Sequence, residues 1–88
     1  MKTLSEELQE IGKVAHFFTK ISVAVIELKA PISVGDRILI KGPTTNLEQT
    51  VESMEIEHEK VTRAEAGQSI GLRVDDRVRE NDTVYKVS

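Results

Sequence analysis

Residues 51–74, VESMEIEHEKVTRAEAGQSIGLRV, contain the strongest signal for the fold of this chain. Met54, Ile56 and His58 alternate with charged residues, which is the period of a strand with one buried face. Gly67 then supplies a turn, and the following stretch, IGLRV, alternates again. A strand, a turn and a short strand without any helical period predict an all-β barrel or sandwich, not the α/β sheet of many enzymes.

The composition limits the size and class of the protein. The 88 residues suffice for one domain. The absence of cysteine excludes a disulfide framework, a thiolate zinc site and a cysteine nucleophile. Because aromatic residues make up only 3% of the chain, the core must consist of Val, Ile and Leu, which suit strands. The many Glu, Lys and Arg residues are also typical of a thermophile.

The N-terminal segment, MKTLSEELQE, is polar and acidic, which is unlike a signal peptide. We expect residues 1–10 to be a lead-in, as a short helix or a tail, and residues 11–88 to form the barrel domain. The longest apolar run, residues 21–26, is too short to cross a bilayer. We therefore expect a cytoplasmic protein that makes no membrane contact.

Several segments have the composition and alternation of strands, at residues 11–18, 21–28, 36–41, 47–60, 70–74 and 83–87. Six or so short strands joined by Gly, Pro and Asp turns favour a small closed barrel of the Greek-key type, because closure removes exposed edges. Val51 and Met54 cannot share a face of a regular strand, so we expect a bulge between them. The predicted core consists of Val14, Phe18, Val23, Val25, Ile38, Ile40, Met54, Ile56, Ile70, Leu72, Val74, Val84 and Val87.

The charge distribution gives mixed information about partners. A net charge of −3 and a pI near 5.4 argue against a dedicated nucleic-acid binder. Basic residues that could nevertheless contact a phosphate backbone are Lys13, Lys20, Arg37 and Lys41. Only Phe17 and Phe18 are interleaved with them, which is a weak base-stacking pattern, and solubility is the alternative explanation.

Catalytic motifs are absent from the sequence. It contains no P-loop, which excludes GTP binding by that route, and no GxGxxG, GxSxG or HExxH. His16 and His58 fit partly buried, hydrogen-bonded positions, or they meet across the sheet beside Glu57 or Glu59. Glu55, Glu57 and Glu59 are expected to form an exposed acidic stripe on one strand face. We expect a protein that is not an enzyme and uses neither a cofactor nor a metal.

The segments VGDRILIKG at residues 34–42, VESMEIEH from Val51 and AEAGQSIGLRV from Ala64 resemble the β-barrel second domain of translational GTPases such as elongation factor Tu. The resemblance extends over roughly residues 12–87. The chain is also similar to the small C-terminal barrel of collagenase-like peptidases and to free-standing archaeal elongation factor-like proteins. Because no other domain precedes it, we expect the free-standing kind.

The resemblance to elongation factors implies a role in protein biosynthesis, because their second domain helps to hold the aminoacylated 3′ end of tRNA and contacts the ribosome. At the corresponding positions Glu55 matches the family's glutamate, His58 replaces an arginine and Ser69 replaces an asparagine. We expect a non-catalytic binding module that docks on RNA or the ribosome, and the alternative is a protein–protein interaction or accessory module of a collagenase-like peptidase. The candidate binding residues are Glu55, His58, Ser69, Lys13, Lys20, Arg37 and Lys41.

Overall fold

Ten strands and no helix are found in residues 8–87, the part of the chain that the computed structural model describes. The strands are β1 Leu8–Phe18, β2 Val23–Leu28, β3 Ile32–Ser33, β4 Arg37–Lys41, β5 Asn46–Thr50, β6 Met54–Ile56, β7 Glu59–Val61, β8 Arg63–Ala64, β9 Ser69–Arg73 and β10 Thr83–Val87. The all-β prediction is confirmed. Over the same residues there is no helix with the length and hydropathy needed to span a membrane.

Eight strands form one antiparallel sheet in the order β5-β4-β10-β1-β2-β9-β6-β7, and β3 pairs with β8 in a separate ribbon. The sheet curls around its buried face and is barrel-like. The two edge strands, β5 and β7, do not pair with each other. The sheet is therefore not closed, which differs from the predicted closed barrel of six or so strands. The predicted lead-in of residues 1–10 overlaps the first strand, because β1 begins at Leu8. The prediction of a short helix falls on residues 1–7, which are outside the described residues.

The core consists almost entirely of aliphatic side chains from alternate positions of the strands, which is the period-two pattern that the sequence predicts. Ile26 and Leu28 of β2, for example, are buried, and the intervening Glu27 is exposed. The buried hydrophobic residues are Ile11, Val14, Ala24, Ile26, Leu28, Ala30, Ile32, Ile38, Ile40, Val51, Met54, Ala64, Ile70, Leu72, Val74, Val78 and Val84.

Two irregularities bend β1 and reverse the direction of its side chains. The register shifts between Glu10 and Gly12, and again between Val14 and His16. An extra residue in a strand moves every later side chain to the opposite face. Val14 is therefore buried, whereas His16 is exposed and Phe18 is 46% exposed. The prediction that Phe18 belongs to the core is wrong for this reason.

The predicted long strand over residues 47–60 is three separate strands. The chain leaves β5 at Val51, whose N–H donates a hydrogen bond to the Asp36 carbonyl oxygen. It enters β6 at Met54, and both Val51 and Met54 are buried. The break between β5 and β6 explains why Val51 and Met54 are both buried although they do not have the spacing of one regular strand.

A buried glutamine connects edge strand β5 to the end of β9. Gln49 is 7% exposed. Its Nε2 donates a hydrogen bond to the Arg73 carbonyl oxygen at 3.0 Å, and its Oε1 accepts one from the Asp75 N–H at 2.8 Å. One side chain thus makes the two hydrogen bonds that a neighbouring strand would make, and it links the two halves of the curled sheet.

We expect Gln49→Leu to lower the free energy of unfolding by about 1–3 kcal/mol, because it removes both hydrogen bonds and leaves the Arg73 carbonyl and the Asp75 N–H without a partner. The measurement is urea unfolding followed by circular dichroism. Thr50→Leu, at the exposed neighbouring position, is the control and should change stability by less than about 0.5 kcal/mol. Equal stability of the two variants would contradict this role of Gln49.

A close approach at Gly42 secures the turn that precedes β10. A Cβ atom at Gly42 would overlap Oδ1 of Asp82 and lie 2.7 Å from its Cγ. Asp82 is 2% exposed, and its Oδ2 accepts a hydrogen bond from the Arg79 N–H at 2.8 Å. The carboxylate therefore occupies space that only a glycine leaves open.

Gly42→Ala should destabilise the chain by about 1–3 kcal/mol, because Asp82 must give up its buried position or its hydrogen bond. The matched control is Gly71→Ala on β9, where a Cβ would lie 3.5 Å from Val23 Cγ1, an ordinary contact. That variant should be neutral or slightly stabilising, because alanine restricts the unfolded chain. Thermal unfolding of both variants tests the difference. Equal Tm values for Gly42→Ala and Gly71→Ala would contradict the role of Gly42.

Candidate functional site

An apolar groove of about 530 Å³ lies on the outer side of the sheet, over the neighbouring strands β2, β9 and β6. Phe18 and Ile21 lie at one end of it and are 46% and 59% exposed. The half-buried Val23 and Val25 of β2 form its floor. An open apolar groove on a chain that already has a complete core is typical of a binding site. The remaining lining residues are Glu55, Glu57, His58, Ser69, Ile70 and Gly71.

The missing side chain of Gly71 provides the depth of the groove. Gly71 lies opposite Val25 on one side and opposite Glu55 on the other, so all three residues face outward. A Cβ there would lie 3.5 Å from Val23 Cγ1 and 4.0 Å from the Glu55 carbonyl oxygen. The backbone of Gly71 does not have positive φ. The backbone conformation at position 71 therefore does not require glycine, and the effect of the glycine is to leave space above the floor of the groove.

A strained turn forms the far end of the groove. Glu57 and His58 connect β6 to β7 and have φ values of 51° and 68°. Positive φ at both central residues is characteristic of a type I′ hairpin turn, in which Asn and Gly are preferred. For residues with a Cβ this conformation costs roughly 1–2 kcal/mol each. The strain holds two polar side chains at the groove.

The predicted acidic stripe does not exist. Glu57 lies in the turn and not in a strand. Glu59 of β7 pairs with Ile56, whereas Glu55 pairs with Lys60, so Glu55 and Glu59 point to opposite faces of the sheet. The sequence contains no Gly, Pro or Asn at this turn, which is why it was predicted as continuous strand.

The two ends of the groove differ in charge. Phe18 and Ile21 make one end apolar. Glu57 lies at the other end and Glu55 between them on β6, while Glu27 of β2 faces outward opposite Ser69. Within residues 8–87, neither Glu55 nor Glu57 takes part in an ion pair. Lys60 lies opposite Glu55 and, with Arg73, lines an adjoining hollow. The lining of the groove itself, within residues 8–87, contains these two carboxylates and no Lys or Arg.

The structure brings together three of the candidate residues from the sequence analysis. Glu55, His58 and Ser69 all line the groove. Lys20 lines a smaller hollow of about 360 Å³ that shares Phe18 and Ile21 with the groove. These four residues therefore lie on one continuous surface.

The other basic candidates lie elsewhere on the sheet. Arg37 of β4 is paired with Glu48 of β5. Lys13 of β1 and Lys41 of β4 both lie opposite Thr83 of β10. In the sheet order, three strands separate β4 from β9, so Arg37 and Lys41 lie away from the groove. Lys13 lies nearer to it, because it is opposite Glu27 of β2, but it does not line the groove.

The apolar part of the groove is not predicted by the sequence pattern. The prediction that Val23 and Val25 belong to the core is wrong, because they line the outer surface. The one signal in the sequence is that β2 is apolar on both faces, which a central place in the sheet also explains. The role of Gly71 had no local signal, because it depends on the neighbouring strands.

The two histidines do not form a metal site in the described part of the chain. Nδ1 of His16 lies 3.0 Å from Oε2 of Glu80, and its ring contacts Phe18 edge-on with centroids 4.5 Å apart. His58 lies in the turn between β6 and β7. Over residues 8–87 no group of three or more His, Cys, Asp or Glu side chains is arranged to hold a metal ion.

Comparison with known proteins gives a consistent family. Residues 6–84 match the family model described as the peptidase family U32 C-terminal domain. An uncharacterized protease of Methanocaldococcus jannaschii is 47% identical over 77 residues, which cover 86% of this chain and 19% of the protease. A collagenase of Porphyromonas gingivalis is 36% identical over 78 residues, which cover 86% of this chain and 22% of the collagenase. The chain thus spans about a fifth of the length of these relatives.

A solved structure shows the same fold. The crystal structure of the C-terminal domain of a protein assigned as a U32 peptidase in Geobacillus thermoleovorans has a TM-score of 0.83 and 19% identity. The match covers 98% of this chain and 97% of that chain. The barrel-like fold predicted from the sequence is therefore found in a U32 C-terminal domain.

These findings correct the prediction of a translation factor. The similarity to the C-terminal barrel of collagenase-like peptidases is confirmed, whereas elongation factor-like identity, RNA binding and a role in protein biosynthesis are wrong. The shared motif residues explain the error, because they build the fold: Ala64 and Ile70 are buried, and Gly67 has φ of 90° in the turn between them. The chain belongs to the family of peptidase U32 C-terminal domains.

Proposed function

We propose that this chain is a non-catalytic accessory module of a U32-type peptidase, and that its groove binds a polypeptide segment from the rest of that peptidase. The apolar groove is the observation that carries the proposal. Phe18 and Ile21 are exposed at one end of it, and Val23 is only half buried. Complete burial of such a side chain is worth about 1.5–3 kcal/mol, so covering the groove would be favourable.

The size of the relatives supports a partner within the peptidase itself. The matching region makes up 19% and 22% of two relatives that are named as a protease and a collagenase. In such proteins the domain is tethered to a polypeptide about four times its own length. A tether raises the effective concentration of a neighbouring segment to the millimolar range. A groove that buries only a few side chains is then sufficient for stable docking.

Gly71→Leu should weaken binding strongly, because its side chain would fill the space above Val25 that the segment needs. The measurement uses an array of short overlapping synthetic peptides that covers the M. jannaschii protease outside its matching region. The labelled 88-residue chain should bind a small cluster of these peptides, and the variant should bind them at least about tenfold more weakly, which corresponds to about 1.4 kcal/mol.

Thr50→Leu is the control for this experiment, because it adds the same side chain at an exposed position on edge strand β5. It should bind as the unmodified chain does, and thermal unfolding must show that both variants are folded. A second array of collagen-derived peptides tests whether the groove holds a substrate instead. Binding to collagen peptides alone, or binding that Gly71→Leu leaves unchanged, would overturn the proposal.

Replacing the strained turn should separate stability from binding. The double variant Glu57→Asn and His58→Gly introduces the preferred type I′ residues, so its Tm should rise by about 5 °C. It also removes two side chains from the groove, so its affinity for the array peptides should fall severalfold. A higher Tm with unchanged affinity would show that these side chains are not part of the binding surface.

A further inference from the structure

The chemistry at the two ends of the groove limits the kind of segment that can fill it. Phe18 lies opposite Val23 on neighbouring strands, and Ile21 lies beside them, which forms an apolar end. Glu55 and Glu57 line the rest of the groove and have no ion-pair partner within residues 8–87. Lys60 lies opposite Glu55 but lines the adjoining hollow with Arg73, not the groove. A ligand that is apolar throughout would therefore leave Glu57 without a cation beside it in the groove, and an acidic ligand would be repelled there.

The distance between the two ends can be read along β9. Arg73 lies opposite Val23 at the apolar end, and Ser69 lies opposite Glu27 at the acidic end. The two residues are four positions apart in one strand, which corresponds to about 13 Å. In an extended ligand, residues four positions apart also point to the same side. An extended peptide can therefore place one side chain at each end.

We propose that the groove selects an extended segment with an aliphatic or aromatic residue about four positions from a lysine or arginine. This inference rests on the proposed function, and it specifies the docking segment. The apolar side chain packs against Phe18, Ile21 and Val23. The cationic group lies beside Glu55 and Glu57, where charge-assisted hydrogen bonds are shorter and stronger than neutral ones.

The charge of the ligand tests this inference directly. The ¹⁵N-labelled 88-residue chain is titrated with three synthetic peptides and followed by NMR. The first peptide has Leu and Arg four positions apart with Thr and Ser between them, the second has Glu in place of Arg, and the third has Ser in place of Leu. Shifts should cluster at Val23, Val25, Ser69 and Gly71. Either replacement should weaken binding about tenfold. Added salt should weaken binding of the two peptides that contain Arg and should not weaken binding of the Glu peptide.

Neutralising the groove carboxylates provides the matched protein variants. Glu55→Gln with Glu57→Gln should weaken binding of the Arg peptide about tenfold and leave the Glu peptide no weaker than before. Glu48→Gln with Glu52→Gln makes the same change in net charge at two exposed positions outside the groove, and it should leave binding of the Arg peptide unchanged.

The results distinguish failure of this inference from failure of the proposed function. If Gly71→Leu prevents binding to the protease-derived array but neutralising Glu55 and Glu57 has no effect, the groove docks a segment and the claim about its basic residue is wrong. If Gly71→Leu has no effect on the array, the proposed function is wrong whatever the charge of the ligand. Shifts centred outside the groove would overturn both.

Discussion

Burial of one face of a single curled sheet is the constraint on which the rest of the structure depends. The chain has few aromatic residues, so aliphatic side chains from almost every strand must meet in one core. Ala24, Ile26 and Leu28 of the central strand β2 point into it. Because side chains alternate, Val23 and Val25 must then point outward. The groove is therefore a direct consequence of how β2 is buried.

Alternation in the sequence was sufficient to predict an all-β fold and the position of most strands. It failed where the phase changes for reasons that lie outside the local pattern. The irregularity after Val14 turns Phe18 to the surface, and the turn at Glu57 and His58 carries no turn residue. Gln49 links β5 to β9 through its side chain, and no periodicity can predict such a contact.

The candidate site was predictable in part. Glu55, His58 and Ser69 were selected by resemblance, and they do lie in one groove. The chemistry assigned to them was wrong, because a motif that specifies a strand, a turn and a second strand carries no information about the ligand. The apolar side chains that would supply most of the binding free energy had been assigned to the core. Only the pairing of β2, β9 and β6 shows that they surround Gly71.

A binding role for the groove also explains why two features that lower stability, a glycine within β9 and a strained turn after β6, lie next to each other. Glycine within a strand costs conformational entropy, and side chains with positive φ strain a hairpin turn. A sequence optimised only for stability would fill the space above Val25 and would place Asn and Gly in the turn. Gly71 instead keeps the space open, and Glu57 and His58 instead keep polar groups at its end. Both choices lower stability and preserve the same surface, which is the pattern expected of a binding site.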